Sequence, residues 1–343
     1  MEATSTNTRY DALDGIRAFS AIGIVIMHVL ANGEYALSGF VFKKLIPSFA
    51  DLVFLFMIIS AFSMCCGYYD KISENKISLD AFYRKRFHKI LPFFGLLSLI
   101  DVVISPSKGA LLELFANLTL CFGFLPNAGD ISVIGVGWFL GVIFVFYIIF
   151  PFYCCLLKNK YRAWGVLAVA YLFTVLCADY FGIGRTNILY DVAYLLCGGL
   201  IYLYRSSLSS FSKSHRIIAT LLVVVFAVAY YVVGAYVLVT LCLYSSILIH
   251  AMGASSNGLL SNRFTKYLSS ISMEIYLCHM VCFRIVERLG LTHMFENDLA
   301  SFAMTTVFTL VGAVIFAAAA QWGLTKIWNT ARKCMQRIRK NEV

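Results

Sequence analysis

Arg17 and His28 stand in an otherwise apolar run that opens with Tyr10-Asp11-Ala12-Leu13-Asp14-Gly15-Ile16. On a helix the eleven steps between them sum to about 1100°, roughly 20° beyond three turns, so both side chains share one face about 16 Å apart along the axis. Ionisable groups at that depth normally face a cavity or a partner, which makes the pair a candidate site. The competing reading is a snorkelling arginine plus a histidine bonded to a neighbouring helix. Asp14, one turn before Arg17, either orients the guanidinium or caps the helix.

Two further segments carry groups able to do chemistry. Phe82-Tyr83-Arg84-Lys85-Arg86-Phe87-His88-Lys89-Ile90-Leu91-Pro92 interleaves cations with aromatics. Lipid headgroups alone would satisfy such a segment; so would a phosphorylated ligand, because arginine forks bind phosphate in a bidentate way. Further on, Ser272, Tyr276 and His279 form one polar stripe on a helical wheel, whereas Glu274 lies nearly opposite. On a straight helix Glu274 and His279 therefore cannot face one cavity. Either Glu274 meets another helix or the helix is distorted around it. The segment from Trp138 to Pro151 is aromatic and uncharged, and reads as a span opened by an interfacial tryptophan. Asp101, Asp191 and His250 read as hydrated or helix-bonded groups near span ends, and Arg284, Glu287 and Arg288 as a local anchor.

The elements that must position these residues are membrane helices. Of the 343 residues, 60% are hydrophobic and 13% are charged, against about 45–50% and 25% in soluble domains. The expected fold is all-α, a polytopic transmembrane bundle of about ten spans with both termini cytoplasmic. The spans are read at 14–34, 49–69, 89–105, 135–157, 162–180, 187–204, 215–233, 235–252, 265–286 and 299–325. Gly234 divides an apolar run of 36 residues from Ile217 to Met252, and 110–126 is read as a short re-entrant, interfacial or partly buried helix. Residues 1–343 form a single domain, with 1–13 a cytoplasmic segment and 326–343 a basic cytoplasmic tail. Residues 1–11 lack a basic n-region and a cleavage site, so the first apolar stretch reads as a retained span.

With both termini inside, the inside pieces hold 22 of the 28 basic residues. They include Arg9, Arg17, Arg84 to Lys89, Lys158, Lys160, Arg205, Lys213, Lys266 and the tail, while Lys43, Lys44, Lys108, Arg185, Arg284 and Arg288 lie on the far side. That asymmetry favours an even number of spans, although eight or twelve would satisfy it equally. The excess of +10 charges is thus read as a topological signal rather than a nucleic-acid one. The eleven cysteines lie mostly in apolar stretches without C-x-x-C spacing and read as small core hydrophobes; no metal site is expected.

In this order, Leu13-Asp14-Gly15-Ile16-Arg17 with its ten-residue gap to His28, Arg84-x-Arg86 leading into Ile90-Leu91-Pro92, Trp138 to Pro151, and Ser272 through His279 resemble acyltransferase family 3. The likeness spans nearly the whole chain. It departs at Ile143, where many relatives carry a glutamate, so no role of that glutamate transfers. The resemblance implies a multi-pass enzyme of a bacterial inner or plasma membrane. Its expected reaction moves an acyl group, by family bias acetyl, from cytoplasmic acyl-CoA to a hydroxyl of a cell-surface polysaccharide or its lipid-linked precursor. The chain is expected to lack the fused esterase-like domain of some relatives. Acyl-CoA is the co-substrate, with no permanently bound cofactor.

On that resemblance, Arg17, Arg84 and Arg86 take the phosphorylated end of CoA, and His28, about a pantetheine length deeper, serves as general base or transient acyl carrier. Glu274 is expected to orient or tune an active-site partner, Trp138 to line the acyl or sugar pocket, and Ser272, Tyr276 and His279 to contact substrate. The rivals are a transporter or flippase of a lipid-linked glycan and a glycan polymerase. No inverted repeat favours the first, and no loop above about 30 residues favours the second.

Overall fold

The computed structural model describes residues 10–104, 106–125, 135–209, 213–253 and 258–341. Arg9 and the side chains of Cys121, Lys213 and the tail cations beyond Thr330 lie outside that description. The described residues form helices and connections with no strand. We number the main helices α1 (Ala12–Asn32), α2 (Val41–Ser73), α3 (Leu79–Ile104), α4 (Lys108–Thr119), α5 (Trp138–Leu157), α6 (Lys160–Leu176), α7 (Ile188–Leu203), α8 (Lys213–Val232), α9 (Val237–Met252), α10 (Arg263–Ser270), α11 (Ser272–Arg288) and α12 (Asp298–Asn341). Each of the ten expected spans corresponds to one of these elements or to the α10–α11 pair. Among the described residues five helices, α1, α2, α3, α5 and α12, are long and apolar enough to cross a membrane, or six if α10 and α11 count as one span. Alpha-7, the Arg216–Val232 part of α8, and α9 are shorter apolar helices among the described residues.

Local chemistry explains most of the boundaries. Gly33 closes α1 by donating its N–H to the Val29 carbonyl. The break between α8 and α9 falls at Gly234, whose φ of +129° is open to glycine and to almost nothing else. The short helix expected at 110–126 is α4, capped by the Ser107 hydroxyl, which accepts from the Ala110 N–H, and ended by Leu120 in the left-handed region. The span expected at 89–105 starts ten residues earlier, at Leu79, so Arg84-x-Arg86 lies in the second turn of α3 rather than ahead of the helix. The turn that separates α2 from α3 closes early, at Asn75 with φ +53°, and the Ser78 hydroxyl accepts the Ala81 N–H to start the helix.

Alpha-1 occupies the middle of the bundle and packs against α2, α9, α10, α11 and α12. Alpha-2 packs extensively on α7, where a Cβ at Gly198 would overlap the Ile58 carbonyl oxygen. Small residues that let backbones approach in this way drive helix association where no hydrophobic force acts. Phe54 stacks on Tyr194 with centroids 4.3 Å apart, and Tyr194 shares a 2.7 Å hydrogen bond with Thr240. The outer surface is inverted relative to a soluble protein. Ile217, Leu221, Val224, Val228 and Val232 expose a continuous apolar stripe along α8, the face lipid covers.

Candidate functional site

A cavity of about 440 Å³ opens between α1, α2, α3, α5, α10 and α11. Helical spacing decides who lines it. From α3 come Arg86, Lys89 and Ile90, and from α5 Phe139, Leu140, Ile143 and Tyr147, each set on one helix face. Alpha-1 contributes Asp14 and Arg17, α2 a file from Phe56 through Ser60, Ser63 and Met64 to Tyr68, and α10 Lys266, Ser269 and Ser270. Four cations, Arg17, Arg86, Lys89 and Lys266, thus meet two carboxylates, Asp14 and Glu274, among several hydroxyls.

Three of the four cations, Arg17, Arg86 and Lys266, are held in place rather than loose. Arg17 donates to the Ser63 hydroxyl at 2.5 Å and lies 3.7 Å from Asp14, which accepts from the Ser269 hydroxyl at 3.1 Å. Arg86 donates to the Tyr68 hydroxyl at 2.6 Å and sits over the rings of Tyr68 and Tyr147, 4.7 and 5.7 Å from their centroids. Its buried Nε has no partner among the described residues, which leaves a donor for a ligand. Tyr68 itself is set by a π-helical stretch, Cys65–Tyr69, of a kind often found at functional sites. Lys266 pairs with Asp11 at 2.8 Å.

Alpha-10 and α11 meet at Ile271 with a bend of 69°, and this resolves the wheel problem posed by Glu274. The first turn of α11 enters the cavity end-on, so Ser272, Met273, Glu274 and Tyr276 all line it although they point in different directions. A carboxylate in a first helical turn is favoured by the amide dipoles there. His279, a turn further on, is fully buried and faces α1 instead: its ring centroid stands 5.0 Å from that of His28. Neither imidazole lines the cavity.

Three rings form an aromatic wall of the cavity. Phe56, Phe139 and Tyr276 form a triangle with centroids 5.5, 6.1 and 6.5 Å apart, and Tyr276 is also 6.1 Å from His279. The Tyr276 hydroxyl donates to the Val136 carbonyl at 2.9 Å, which pins that ring.

The remaining expected site residues lie elsewhere. Arg84, two residues from Arg86 and so on the other side of α3, is largely exposed and pairs with Asp80 at 3.4 Å. Trp138 does not line the cavity; it lies beside Arg185, which is 5.6 Å above its ring and 3.3 Å from Asp51. Asp191 is not hydrated or helix-bonded: it is fully buried, and neither carboxyl oxygen has a hydrogen-bond partner among the described residues. Conversely, Lys89, Lys266, Tyr68 and Tyr147 were not singled out as site residues. The Arg86-x-x-Lys89 spacing would have revealed Lys89 once the segment was taken as helical. Among the described residues no three of His, Cys, Asp and Glu converge to hold a metal ion.

Apolar helices enclosing a cavity lined by four cations and three aromatic rings, with a pair of imidazoles outside that lining, define a helical membrane protein with a polar internal site. The chain belongs to acyltransferase family 3, whose model, an acyltransferase domain, matches residues 10–318. It is a multi-pass membrane acyltransferase. No curated protein and no solved structure matches it.

Proposed function

We propose that the chain transfers a short acyl group, acetyl, from cytoplasmic acyl-CoA to a hydroxyl of a cell-surface polysaccharide or its lipid-linked precursor. The observation that carries this reading is a cavity lined by four cations and three aromatic rings, with the His28–His279 pair next to one of those rings, Tyr276. CoA presents phosphates at one end and a thioester at the end of a thin arm, and the cavity offers Arg17, Arg86, Lys89 and Lys266 to the former. His28, about 16 Å up the helix from Arg17, meets the latter once the rings of Phe56 and Phe139 turn aside. Glu274, which lines the same cavity as Lys89, orients and tunes that partner.

His28 acts as general base. It takes the proton of the acceptor hydroxyl as the oxygen attacks the thioester carbonyl; the C–O bond forms, the C–S bond breaks, and the departing CoA thiolate receives the proton from His28. A positioned base of this kind typically contributes about 10²–10⁴ in rate. The reading goes with ten spans, both termini cytoplasmic, and residence in a bacterial inner or plasma membrane, so that the donor enters from the Arg17 end. Family membership weighs against the transporter and polymerase alternatives.

The test supplies membranes with labelled acetyl-CoA and analyses extracted glycans and glycan lipids by mass. Wild-type protein is expected to label them and His28→Ala to lose that label. Transfer that persists unchanged in the variant removes His28 from the mechanism.

A further inference from the structure

His279 is fully buried, does not line the cavity, and carries one nitrogen with a partner and one without. Its Nδ1 lies 2.7 Å from the Tyr276 carbonyl oxygen. A carbonyl only accepts, so Nδ1 must carry the proton, and in a neutral imidazole this leaves Nε2 as a lone-pair acceptor. That Nε2 is buried with no hydrogen-bond partner among the described residues. A buried acceptor left so forfeits its interaction with water for nothing, and such atoms call for an explanation.

The neighbour able to supply one is His28, whose ring lies 5.0 Å away, tilted by 44°. At that separation a turn of the His28 ring brings one of its nitrogens within hydrogen-bond range of Nε2. The two helices that carry the pair pack directly on each other, so the approach is built into the bundle. We propose that His279 is a positioning residue: its Nε2 accepts the N–H of His28, fixing the His28 tautomer and leaving the other His28 nitrogen free to act as base. The backbone carbonyl of Tyr276 thus sets His279, and His279 sets His28. Tyr276 also belongs to the aromatic wall, so the group that closes the cavity and the group that orients the base share one turn of α11.

This inference rests on the proposed base role of His28. Two substitutions separate a positioning role from a packing one, because glutamine places an acceptor near the Nε2 position of histidine and asparagine places one only near Nδ1. Acetyl transfer from acetyl-CoA is measured for wild type, His279→Gln and His279→Asn in detergent-solubilised protein, with CoA binding as the check on folding. The expected result is kcat within about tenfold of wild type for His279→Gln and at least about 100-fold lower for His279→Asn, with the KM for acetyl-CoA unchanged in both. Equal losses in the two variants, or losses confined to KM, with CoA binding retained, overturn the positioning role. Absence of transfer by the wild type would instead overturn the acyltransfer reading on which it rests.

Discussion

Arg84 and Arg86 differ by two positions and by everything that determines binding. Arg86 is fixed between Tyr68 and Tyr147 inside the cavity, while Arg84 is solvated and paired with Asp80. A hydrogen bond to a charged group contributes about 1.5–3 kcal/mol, which corresponds to roughly 10–150-fold in affinity. Arg86→Ala is therefore expected to raise the KM for acyl-CoA by at least about tenfold, and Arg84→Ala, an exposed pair worth about 0–1 kcal/mol, by no more than about fivefold. Steady-state transfer at varied acyl-CoA measures both; equal effects would return the segment to a lipid-headgroup role. Lys89→Ala is expected to follow Arg86, because it lines the same wall. The placement of Arg17 and His28 on one helix was legible in the sequence because local spacing alone relates the two. The partition between Arg84 and Arg86 was not, since it depends on that segment being helical, and the meeting of His28 with His279 depends on tertiary packing that no local spacing encodes.

At the scale of elements, the apolar runs announced nearly every helix, and Gly234 announced the break in the longest of them. The bend at Ile271 was hidden, because Ser270-Ile271-Ser272 contains neither glycine nor proline; the wheel conflict between Glu274 and His279 was its indirect trace. Two glycines test how packing, rather than turn chemistry, fixes the elements. A side chain at Gly198 would overlap the backbone of α2, whereas Gly165 on α6 has open space around its Cα. Overpacking costs about 1–3 kcal/mol, so Gly198→Val is expected to lower the unfolding temperature in detergent and to reduce the folded yield. Gly165→Ala, which removes the helix penalty of glycine, is expected to stabilise by up to about 1 kcal/mol. If Gly198→Val melted at the wild-type temperature, the close approach of α2 and α7 would not exist as described. Gly15 meets Leu260 equally closely, which explains the glycine between Asp14 and Arg17: it lets α1 lie against the chain that leads into α10 and so brings Arg17 and Lys266 to one cavity.

For the whole molecule the question is which end of the bundle meets the cytoplasm. The basic residues read as inside are tied together across the fold. Lys266 pairs with Asp11 at 2.8 Å, Arg205 reaches Asp70 at 3.9 Å, Lys160 sits 4.7 Å from the Tyr204 ring, and His88 stacks edge-on against Trp328 at 4.6 Å. The opposite end has its own set: Arg185 with Asp51, Arg284 with Glu287, and Ala36 donating to Asp298. Alpha-12, at 44 residues, is about 66 Å long by its rise and exceeds a hydrocarbon core of about 30 Å by more than tilt absorbs. Its basic end, from Lys326 onward, therefore leaves the bilayer beside the first turns of α3. Because cations concentrate on the cytoplasmic side of membrane proteins, the end holding Arg17, Lys89 and Lys266 is expected to face the cytoplasm, which is where acyl-CoA would be met. Single cysteines introduced at Lys76 and at Lys44, in a variant lacking the accessible native cysteines, test this by labelling intact cells with a membrane-impermeant maleimide. Labelling is expected at 44 and only after permeabilisation at 76. The reverse pattern would turn the cation-lined cavity outward, and a cytoplasmic thioester could then no longer be its ligand.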